Sequence, residues 1–278
     1  MTAPPRIQDL LLEANPLVPA AEAQILLAHA LQQPRSFLIT WPQYTVTLEA
    51  GTHYRQLLHR RSQGEPIAYL IGHKEFWSLR LRVTPATLIP RSETELLVEL
   101  ALKRTDKESA QRIADLGTGS GAIALAIAHE RPRTTVVATD ASADALEVAI
   151  DNARHLKISN VSFRLGNWLT PLHDERFDII VSNPPYVAGD DAHLQQGDLR
   201  FEPMSALTCG NDVLHALRHI ATEARSHLAA NGWLLLEHGF DQADAVAAEL
   251  KQLGYHDIAT EPDYAGIPRI TLGRYENN

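Results

Sequence analysis

Four consecutive residues, Asn183, Pro184, Pro185 and Tyr186, form the stretch of this sequence whose side chains could most directly do chemistry. They follow an apolar run, Phe177 to Val181, that is typical of a buried parallel strand. Ligands of open α/β sheets bind in the crevice beyond the carboxyl ends of the strands. The tetrapeptide is therefore expected in a binding crevice.

The residue types of this tetrapeptide favour a planar NH2 group as the ligand. Two prolines stiffen the turn and remove two backbone N–H donors, so its carbonyl groups are left to accept hydrogen bonds from outside the chain. Asn183 adds a side-chain acceptor, and Tyr186 adds a flat aromatic face. An amide or an aromatic amine fits such a site. Because Asn and Pro are also common in turns, the motif alone is compatible with a simple strand end.

A second motif, the glycine-rich segment Asp115 to Gly121, follows another predicted strand and opens a helix. Glycine allows close approach of the backbone to a ligand at this position. Gly117 to Ala122 satisfies the G-x-G-x-x-G/A pattern, so a nicotinamide cofactor has to be considered. The carboxylate of Asp115 is expected near the ligand, where it would repel a pyrophosphate and favour the cationic S-adenosylmethionine.

Two further positions at strand ends are candidates for cofactor contacts. Asp140 ends the next strand, where a carboxylate can accept hydrogen bonds from ribose hydroxyls. Asn167 and Trp168 follow the third strand, where Trp can pack on an adenine and Asn can bond its edge. The alternatives are an Asp140 that only caps the following helix and a Trp168 that only fills the core.

From residue 112 onward, predicted strands and helices alternate, which indicates a doubly wound parallel sheet. The predicted strands cover residues 112–115, 135–139, 161–165, 177–181, 233–237, 256–260 and 269–274. The predicted helices cover residues 119–130, 143–156, 213–228 and 242–253. Because the last two strands are joined by a short loop, they are expected to form an antiparallel pair at one sheet edge.

The first part of the chain predicts a different organisation. Apolar residues recur at helical spacing from Ile7 to about Leu70, which predicts a small all-α unit. Its segment from His53 to Arg61 is basic and forms either a solvated helix face or a docking surface. Alternation between Lys74 and Pro90 predicts a connecting hairpin. Ser92 is then the predicted N-cap of a helix, with Glu95 as its capping-box partner.

Composition limits the class of protein. The 278 residues contain 25 Lys and Arg against 34 Asp and Glu, a net charge of −9 that argues against an extended nucleic-acid partner. One cysteine, Cys209, and the lack of a signal-like N-terminus favour the cytoplasm. We expect no membrane segment, and the 13 His residues lack the spacing of a metal site.

The glycine segment, the strand-end Asp140 and the Asn-Pro-Pro-Tyr motif, in this order, resemble class I S-adenosylmethionine-dependent methyltransferases that act on nitrogen. The chain as a whole resembles the HemK/PrmC family of release factor glutamine methyltransferases. The additional stretches that carry this likeness are Leu88 to Glu95, Phe201-Glu202-Pro203 with Ala206-Leu207, and the N-terminal helical unit.

The resemblance implies a Rossmann-like, mostly parallel seven-stranded sheet with an antiparallel edge pair, plus a small all-α domain. The implied domains are 1–73 for substrate recognition, 74–90 as a hairpin connector and 91–278 for catalysis. The implied reaction is N5-methylation of the glutamine in the Gly-Gly-Gln motif of class 1 peptide-chain release factors. The partners are these proteins, with no direct nucleic-acid or membrane contact.

The same resemblance assigns site residues. S-adenosylmethionine contacts fall on Gly117, Thr118, Gly119, Ser120, Gly121, Asp140, Trp168 and Asn183. The catalytic positions are Asn183, Pro184 and Tyr186, and the glutamine contacts are Asn183, Pro184, Pro185 and Tyr186. The sequence departs from the family at Asn167, where Asp is common, and in the variable loop Cys209 to Asp212.

Three other functions remain to be separated from this one. A nucleobase amino-methyltransferase would also present a planar NH2 to the motif, but it should have a basic groove. A noncatalytic binding protein would have no need of both the glycine segment and the Asn-Pro-Pro-Tyr motif. A dehydrogenase would need a hydride-transfer constellation, and none accompanies the glycines.

Overall fold

Apolar residues at helical spacing produce a first group of helices in the computed structural model, which describes residues 4–276. The helices are α1 (Ile7–Ala14), α2 (Ala20–Leu31), α3 (Arg35–Thr40), α4 (Leu48–Ser62) and α5 (Ile67–Ile71). Their apolar faces share one core, in which Leu10, Leu26 and Tyr54 are fully buried. The predicted helical spacing is thus present in this part of the chain.

The chain divides into two compact units. The first comprises residues up to His73 together with the short segment Gln195–Phe201, and the second comprises Lys74–Leu194 and the chain from Glu202 onward. Inclusion of Gln195–Phe201 in the helical unit has no counterpart in the sequence pattern. The segment contains a 3-10 turn, Leu199–Phe201, and Arg200 donates to the Gln63 carbonyl oxygen at 2.5 Å.

The basic segment of α4 is already neutralised within the first unit. Its arginines pair with carboxylates: Arg55 with Glu13, Arg60 with Glu65, and Arg61 with both Glu22 and Asp198. A cationic docking surface needs charges that are free to meet a partner. These contacts remove the electrostatic argument for a docking surface at this segment.

A short hairpin follows, with strands β1 (His73–Phe76) and β2 (Leu79–Arg82). The next helix, α6, spans Glu95–Lys103, and its N-cap is Thr94. The predicted capping box with Ser92 is therefore wrong. The carboxylate of Glu95 instead accepts from the backbone N–H of Trp77 at 2.8 Å, which ties the helix to the hairpin turn.

The main sheet confirms the predicted fold class. The remaining strands are β3 (Arg112–Leu116), β4 (Thr135–Asp140), β5 (Val161–Leu165), β6 (Phe177–Ser182), β7 (Leu228–Glu237), β8 (His256–Pro262) and β9 (Pro268–Tyr275). Seven strands pair in the order β5-β4-β3-β6-β7-β9-β8. The first five in this order are parallel, and β9 is antiparallel to both neighbours.

Helices cover both faces of this sheet. The helices that follow α6 in the chain are α7 (Ala122–Glu130), α8 (Ala143–Leu156), α9 (Met204–Leu207), α10 (His215–His227) and α11 (Ala243–Gln252). Successive strand residues enter opposite cores: Ile113 packs in the core that contains α6 and α7, and Ala114 packs in the core that contains α10. This alternation is the physical basis of the doubly wound architecture, since each sheet face is buried under helices.

Two predicted boundaries differ from the observed ones by three residues or more. The helix expected from residue 119 begins at Ala122, because Gly119 and Gly121 have φ values of 56° and 84° that an α-helix does not allow. The strand expected from residue 233 begins at Leu228, which pairs with Phe177 before a register shift.

Within residues 4–276, no helix is long and apolar enough to cross a bilayer.

Candidate functional site

A cavity of about 270 Å³ lies at the carboxyl ends of β3, β4 and β6 in the second unit. Its volume is close to the lower end of ligand pockets, about 300 Å³. It is lined by Ala86, Thr87, Leu88, Gly117, Gly119, Asp140, Ala141, Ser142, Ala145, Asn167, Trp168, Asn183, Pro185, Pro203, Ser205 and Ala206. Among the described residues, the lining holds one carboxylate and no Lys or Arg.

The glycine segment forms one wall of the cavity. Gly117 has a φ of 73°, and a Cβ atom at this position would lie 2.9 Å from the Trp168 ring. Only glycine therefore allows the loop and the indole to pack together. The Gly119 backbone N–H donates to Oδ2 of Asp140 at 2.8 Å, and Oδ1 accepts from the Ser142 N–H at 2.9 Å. Backbone contacts thus fix the Asp140 carboxylate at the cavity wall.

Asp140 is not the N-cap of the following helix. That position belongs to Ser142, whose hydroxyl accepts from the Ala145 N–H at 3.2 Å. Burial raises the pKa of Asp140, and its backbone hydrogen bonds lower it. Asp140 lines the cavity, and each of its carboxylate oxygens can accept more than one hydrogen bond, so the carboxylate can also accept from a ligand.

Asp115 lies beneath the glycine segment rather than beside the ligand. Its side chain is fully buried, and Oδ2 accepts from the Thr118 hydroxyl at 2.6 Å and from the Ala124 N–H at 3.1 Å. Burial raises the pKa of Asp115 to about 7. The carboxylate does not line the cavity, and its Oδ2 contacts hold the loop against the start of α7.

Thr118 and Ser120 are also turned away from the cavity. Both are buried, at 6% and 2% exposure. The Thr118 hydroxyl is used by Asp115, and the Ser120 carbonyl oxygen accepts from Asn152 at 2.8 Å. Neither residue lines the cavity, and Gly121 occupies the N-cap position of α7. Gly117 and Gly119 are the members of this segment that do line it.

Trp168 and Asn167 form the opposite wall. Trp168 has a positive φ of 46°, and its carbonyl oxygen accepts from the Thr139 hydroxyl at 2.8 Å. This contact joins the turn after β5 to β4. The indole is half-buried and packs partly against the core, and Trp168 also lines the cavity. Its exposed part lies on the cavity side, where a flat ligand could stack.

The Asn-Pro-Pro-Tyr turn follows β6, as expected. Asn183 and Pro185 line the cavity, whereas Pro184 is buried and Tyr186 is half-buried behind them. Nδ2 of Asn183 donates to Oγ1 of Thr94 at 3.1 Å. Within residues 4–276, no hydrogen bond reaches Oδ1 of Asn183 or the carbonyl oxygen of Pro184. Oδ1 of Asn183 is therefore an acceptor without a protein partner at the cavity, and the Pro184 carbonyl oxygen is a second such acceptor in the same turn, although Pro184 does not line the cavity.

Two residues that sequence reasoning missed support this turn. The Tyr186 hydroxyl donates to Oε1 of Glu237 at 3.3 Å, and Gln242 Nε2 donates to the Tyr186 carbonyl oxygen at 2.9 Å. Glu237 is 2% exposed and ends β7, next to β6 in the sheet. The argument that singled out Asp140, an acidic residue at a strand end, applies equally to Glu237 and would have identified it.

Glu202 joins two walls of the cavity. Its fully buried carboxylate accepts from the Ile89 N–H at 3.0 Å and from Arg91 at 2.5 Å. Ile89 directly follows the lining residue Leu88, and Glu202 directly precedes the lining residue Pro203. The contact gives Arg91 a structural role that its position at a predicted helix start did not reveal.

Comparisons with known proteins agree with this geometry. A family model described as "Methyltransferase small domain" matches residues 92–200, and one described as "PrmC N-terminal domain" matches residues 6–72. The release factor glutamine methyltransferase of Aliivibrio fischeri is 49% identical over 97% of this chain and 94% of its own. The protein of the same name from Xylella fastidiosa is 51% identical over 95% of this chain and 96% of its own length.

A solved structure supports the fold alone. The T. thermophilus 16S rRNA N2 G1207 methyltransferase, in complex with AdoMet and guanosine, aligns with a TM-score of 0.55 at 16% identity. The alignment covers 73% of this chain and 50% of that one.

Within residues 4–276, no group of three or more His, Cys, Asp or Glu side chains could hold a metal ion.

Proposed function

This chain belongs to the release factor glutamine methyltransferase family, and from that premise we propose that it methylates the side-chain amide nitrogen (N5) of a glutamine in class 1 peptide-chain release factors. The methylated glutamine is that of the Gly-Gly-Gln motif. The observation that carries the proposal is the orientation of Asn183, whose Nδ2 is held by Thr94 while Oδ1 has no partner among residues 4–276.

The cavity residues fit S-adenosylmethionine. Asp140 lies where it can accept from the ribose hydroxyls, and Trp168 offers a ring face for the adenine. Asn167 lines the same cavity and can bond the adenine edge even though an Asp is common there. Gly117 and Gly119 also line the cavity, where a backbone without side chains would allow a ligand to approach closely. The lack of Lys and Arg in the described lining fits a cofactor without phosphate groups.

The role of the turn after β6 follows from the chemistry of an amide. The amide nitrogen is a poor nucleophile because its lone pair is delocalised into the carbonyl group. When bound, S-adenosylmethionine supplies an electrophilic methyl group on a sulfonium. Oδ1 of Asn183 and the carbonyl oxygen of Pro184 accept from the two glutamine N–H groups and so direct the lone pair at the methyl carbon.

This positioning acts mainly through orientation and electrostatics. As the N–C bond forms and the bond between the methyl carbon and the sulfur breaks, the sulfonium would leave as a neutral thioether, and positive charge would develop on the nitrogen. Its hydrogens become more acidic, so the hydrogen bonds to the two oxygens strengthen, and one hydrogen is then lost to solvent as a proton. The contribution is therefore larger in the transition state than in the ground state. Pro185 lines the cavity beside Asn183, and Tyr186 packs behind the turn that carries both oxygens.

Nucleobase amino methylation is the main competing function, because an adenine amine also presents a planar NH2. A nucleic-acid substrate would favour clustered cations near the cavity. The net charge of −9 and the described lining without Lys or Arg favour a protein substrate. The arginines of α4 are paired with carboxylates and do not supply a basic surface there.

We further propose that the N-terminal helical unit recognises the release factor. A single glutamine side chain in a narrow cavity offers few contacts, so selection among cellular glutamines needs additional interface area. The proposed place of action is the cytoplasm, where the protein substrate is made and used.

Incubation with methyl-labelled S-adenosylmethionine and cell extract tests the proposed function. We expect the label to reside in a protein of release factor size and to be lost on protease treatment. Label that is lost on nuclease treatment and kept after protease treatment would contradict the proposal in favour of nucleobase methylation.

A further inference from the structure

Residues 83–90, here called the wall segment, lie between β2 and α6 and belong to neither a helix nor a strand. They include Ala86, Thr87 and Leu88, which line the cavity. The Thr87 N–H donates to the Thr84 carbonyl oxygen at 3.0 Å and closes a turn inside the segment. Such a local contact shapes the segment but does not hold it against other elements. The place of this cavity wall therefore depends on contacts at the ends of the segment.

Asn152 of α8 holds the first end. Asn152 is 2% exposed, and its Oδ1 accepts from the Arg82 N–H at 2.7 Å while Nδ2 donates to the Arg82 carbonyl oxygen at 3.0 Å. Nδ2 also donates to the Ser120 carbonyl oxygen at 2.8 Å. Arg82 directly precedes the wall segment, and Ser120 belongs to the glycine segment. One amide thus joins two walls of the cavity.

Glu202 holds the other end. Its Oε2 accepts from the Ile89 N–H at 3.0 Å, and its Oε1 accepts from Arg91 at 2.5 Å. The Glu202 side chain is fully buried, so water does not compete for these contacts. The next residue, Pro203, lines the cavity. Glu202 therefore holds the wall segment against a third wall.

The chemistry of both side chains matches the groups that they meet. Asn152 meets two acceptors and one donor, and a carboxamide presents two N–H groups and one oxygen. Glu202 meets two donors, and an ionised carboxylate can only accept. Asn152→Asp would keep the shape but place an oxygen against carbonyl oxygens. Glu202→Gln would keep the shape but place an NH2 group against one of the two donors.

We propose that Asn152 and Glu202 are positioning residues for the cofactor, which hold the wall segment at its two ends and so keep Ala86, Thr87 and Leu88 at the cavity. Neither residue lines the cavity, so both act through the groups that they hold. The inference rests on the proposed function and deepens it, because the ligand beside this wall is then S-adenosylmethionine.

A released wall segment lowers the affinity for the cofactor through the fraction of molecules whose cavity is formed. The apparent Kd is the intrinsic Kd divided by that fraction. If a broken buried contact leaves about one molecule in ten with the wall in place, the Kd rises about tenfold. Bound cofactor restores the wall, so kcat at saturating cofactor should change much less than the Kd.

Calorimetric titration with S-adenosylmethionine tests this inference. For Glu202→Gln and for Asn152→Asp we expect the Kd to rise by about tenfold. With an intact release factor, the KM for the cofactor should rise similarly, and kcat at saturating cofactor should fall by less than about threefold. A purely structural role would lower the melting temperature and leave the Kd of the folded protein unchanged.

Asp151→Asn is the matched control. Asp151 directly precedes Asn152 and contacts the same Arg82, but it does so through the exposed guanidinium group at 2.5 Å. An exposed ion pair adds little to the position of the backbone. The Kd for S-adenosylmethionine should therefore be unchanged in this variant.

Amide hydrogen exchange locates the effect in the chain. In Glu202→Gln and Asn152→Asp we expect faster exchange than in the wild type in a peptide that spans residues 83–90. Saturating S-adenosylmethionine should slow this exchange again, because the cofactor selects molecules with the wall in place. Wild-type exchange in this peptide in both folded variants would contradict the inference.

A folded Glu202→Gln protein with wild-type Kd would also overturn the inference. If that variant does not fold, Arg91→Ala takes its place, since the Arg91 side chain is 33% exposed and its loss removes one of the two contacts of Glu202. Wild-type Kd in Arg91→Ala would overturn the inference equally. Failure of the proposed function gives a different result, a wild-type protein that binds S-adenosylmethionine and leaves the release factor unmethylated.

Discussion

Oδ2 of Asp140 accepts a hydrogen bond from the backbone N–H of Gly119 at 2.8 Å, so the end of β4 is tied to the glycine segment that follows β3. The contact is possible because the two strands are parallel neighbours whose carboxyl ends meet. This hydrogen bond holds the Asp140 carboxylate at the cavity wall and holds the glycine segment against the carboxylate. The two sequence motifs proposed to bind the cofactor are therefore one structural unit.

Asp140→Asn tests the role of this carboxylate. The amide keeps the shape but loses the charge and one acceptor, so we expect S-adenosylmethionine binding to weaken by about 1.5–3 kcal/mol. Calorimetric titration measures the change. Asp144→Asn, an exposed position in the first turn of α8, is the control and should leave the affinity unchanged. Wild-type affinity in Asp140→Asn would mean that this carboxylate only organises the loop.

Stability should depend on pH through Glu237. Burial raises the pKa of Glu237 to about 7, above the value of about 4.3 in an unfolded chain. Between these values the folded state keeps a proton that the unfolded state has lost, so this contribution to stability falls as the pH rises from about 4 to about 7.

Glu237→Gln removes this titration. Between pH 5 and pH 8 we expect the wild type to lose about 2 kcal/mol more stability than the variant, from the difference between the two pKa values. Urea unfolding at the two pH values gives both free energies. Equal losses in the two proteins would show that the Glu237 carboxyl does not titrate in this range.

Arg61 is expected to stabilise the first unit. Its side chain is 18% exposed, and it donates to Glu22 at 2.7 Å and to Asp198 at 2.9 Å. Arg61→Ala should lower the free energy of unfolding by about 1–3 kcal/mol, because it leaves the partly buried Glu22 without its partner. Arg60→Ala removes an arginine that is 52% exposed and should cost less than about 1 kcal/mol. Similar urea midpoints for the two variants would refute this ranking.

Deletion of residues 1–73 addresses substrate recognition. The truncated protein should keep cofactor binding, because all residues that line the cavity lie in the second unit, and it should lose most methylation of an intact release factor. A short Gly-Gly-Gln peptide should be a poor substrate for both proteins. Because Gln195–Phe201 loses its partners in the deletion, thermal unfolding has to show that the remainder is folded. Full activity of a folded truncation would assign the helical unit to stability alone.

The sequence was sufficient to predict the strands of the main sheet and the positions of the motifs at the strand ends. Apolar runs that end in Asp140 and before Asn183 predicted the strands, and the short loop before β9 predicted the antiparallel edge. The start of α7 was placed too early, because helix propensity does not reveal that Gly119 and Gly121 adopt positive φ. Local pattern also assigned Ser92 as a cap, since the competing contact of Glu95 with Trp77 comes from tertiary structure.

The supporting contacts of the site were beyond local pattern for the same reason. Thr94 and Asn183 are far apart in the chain and meet only because α6 packs on the sheet beside β6. Glu202 reaches Ile89 and Arg91 across a similar separation. Spacing within a motif carries no information on such partners. The residues that line the cavity were therefore easier to predict than the residues that hold them in place.

Methyl transfer to a purified, intact class 1 release factor tests the central claim most directly. Peptide mass spectrometry after reaction should place one added methyl group on the side chain of the Gly-Gly-Gln glutamine. Asn183→Ala should lower kcat by about two to three orders of magnitude, as expected for a lost transition-state hydrogen bond. A folded Asn183→Ala protein with near-normal turnover, or a methyl group on any other residue, would contradict the account.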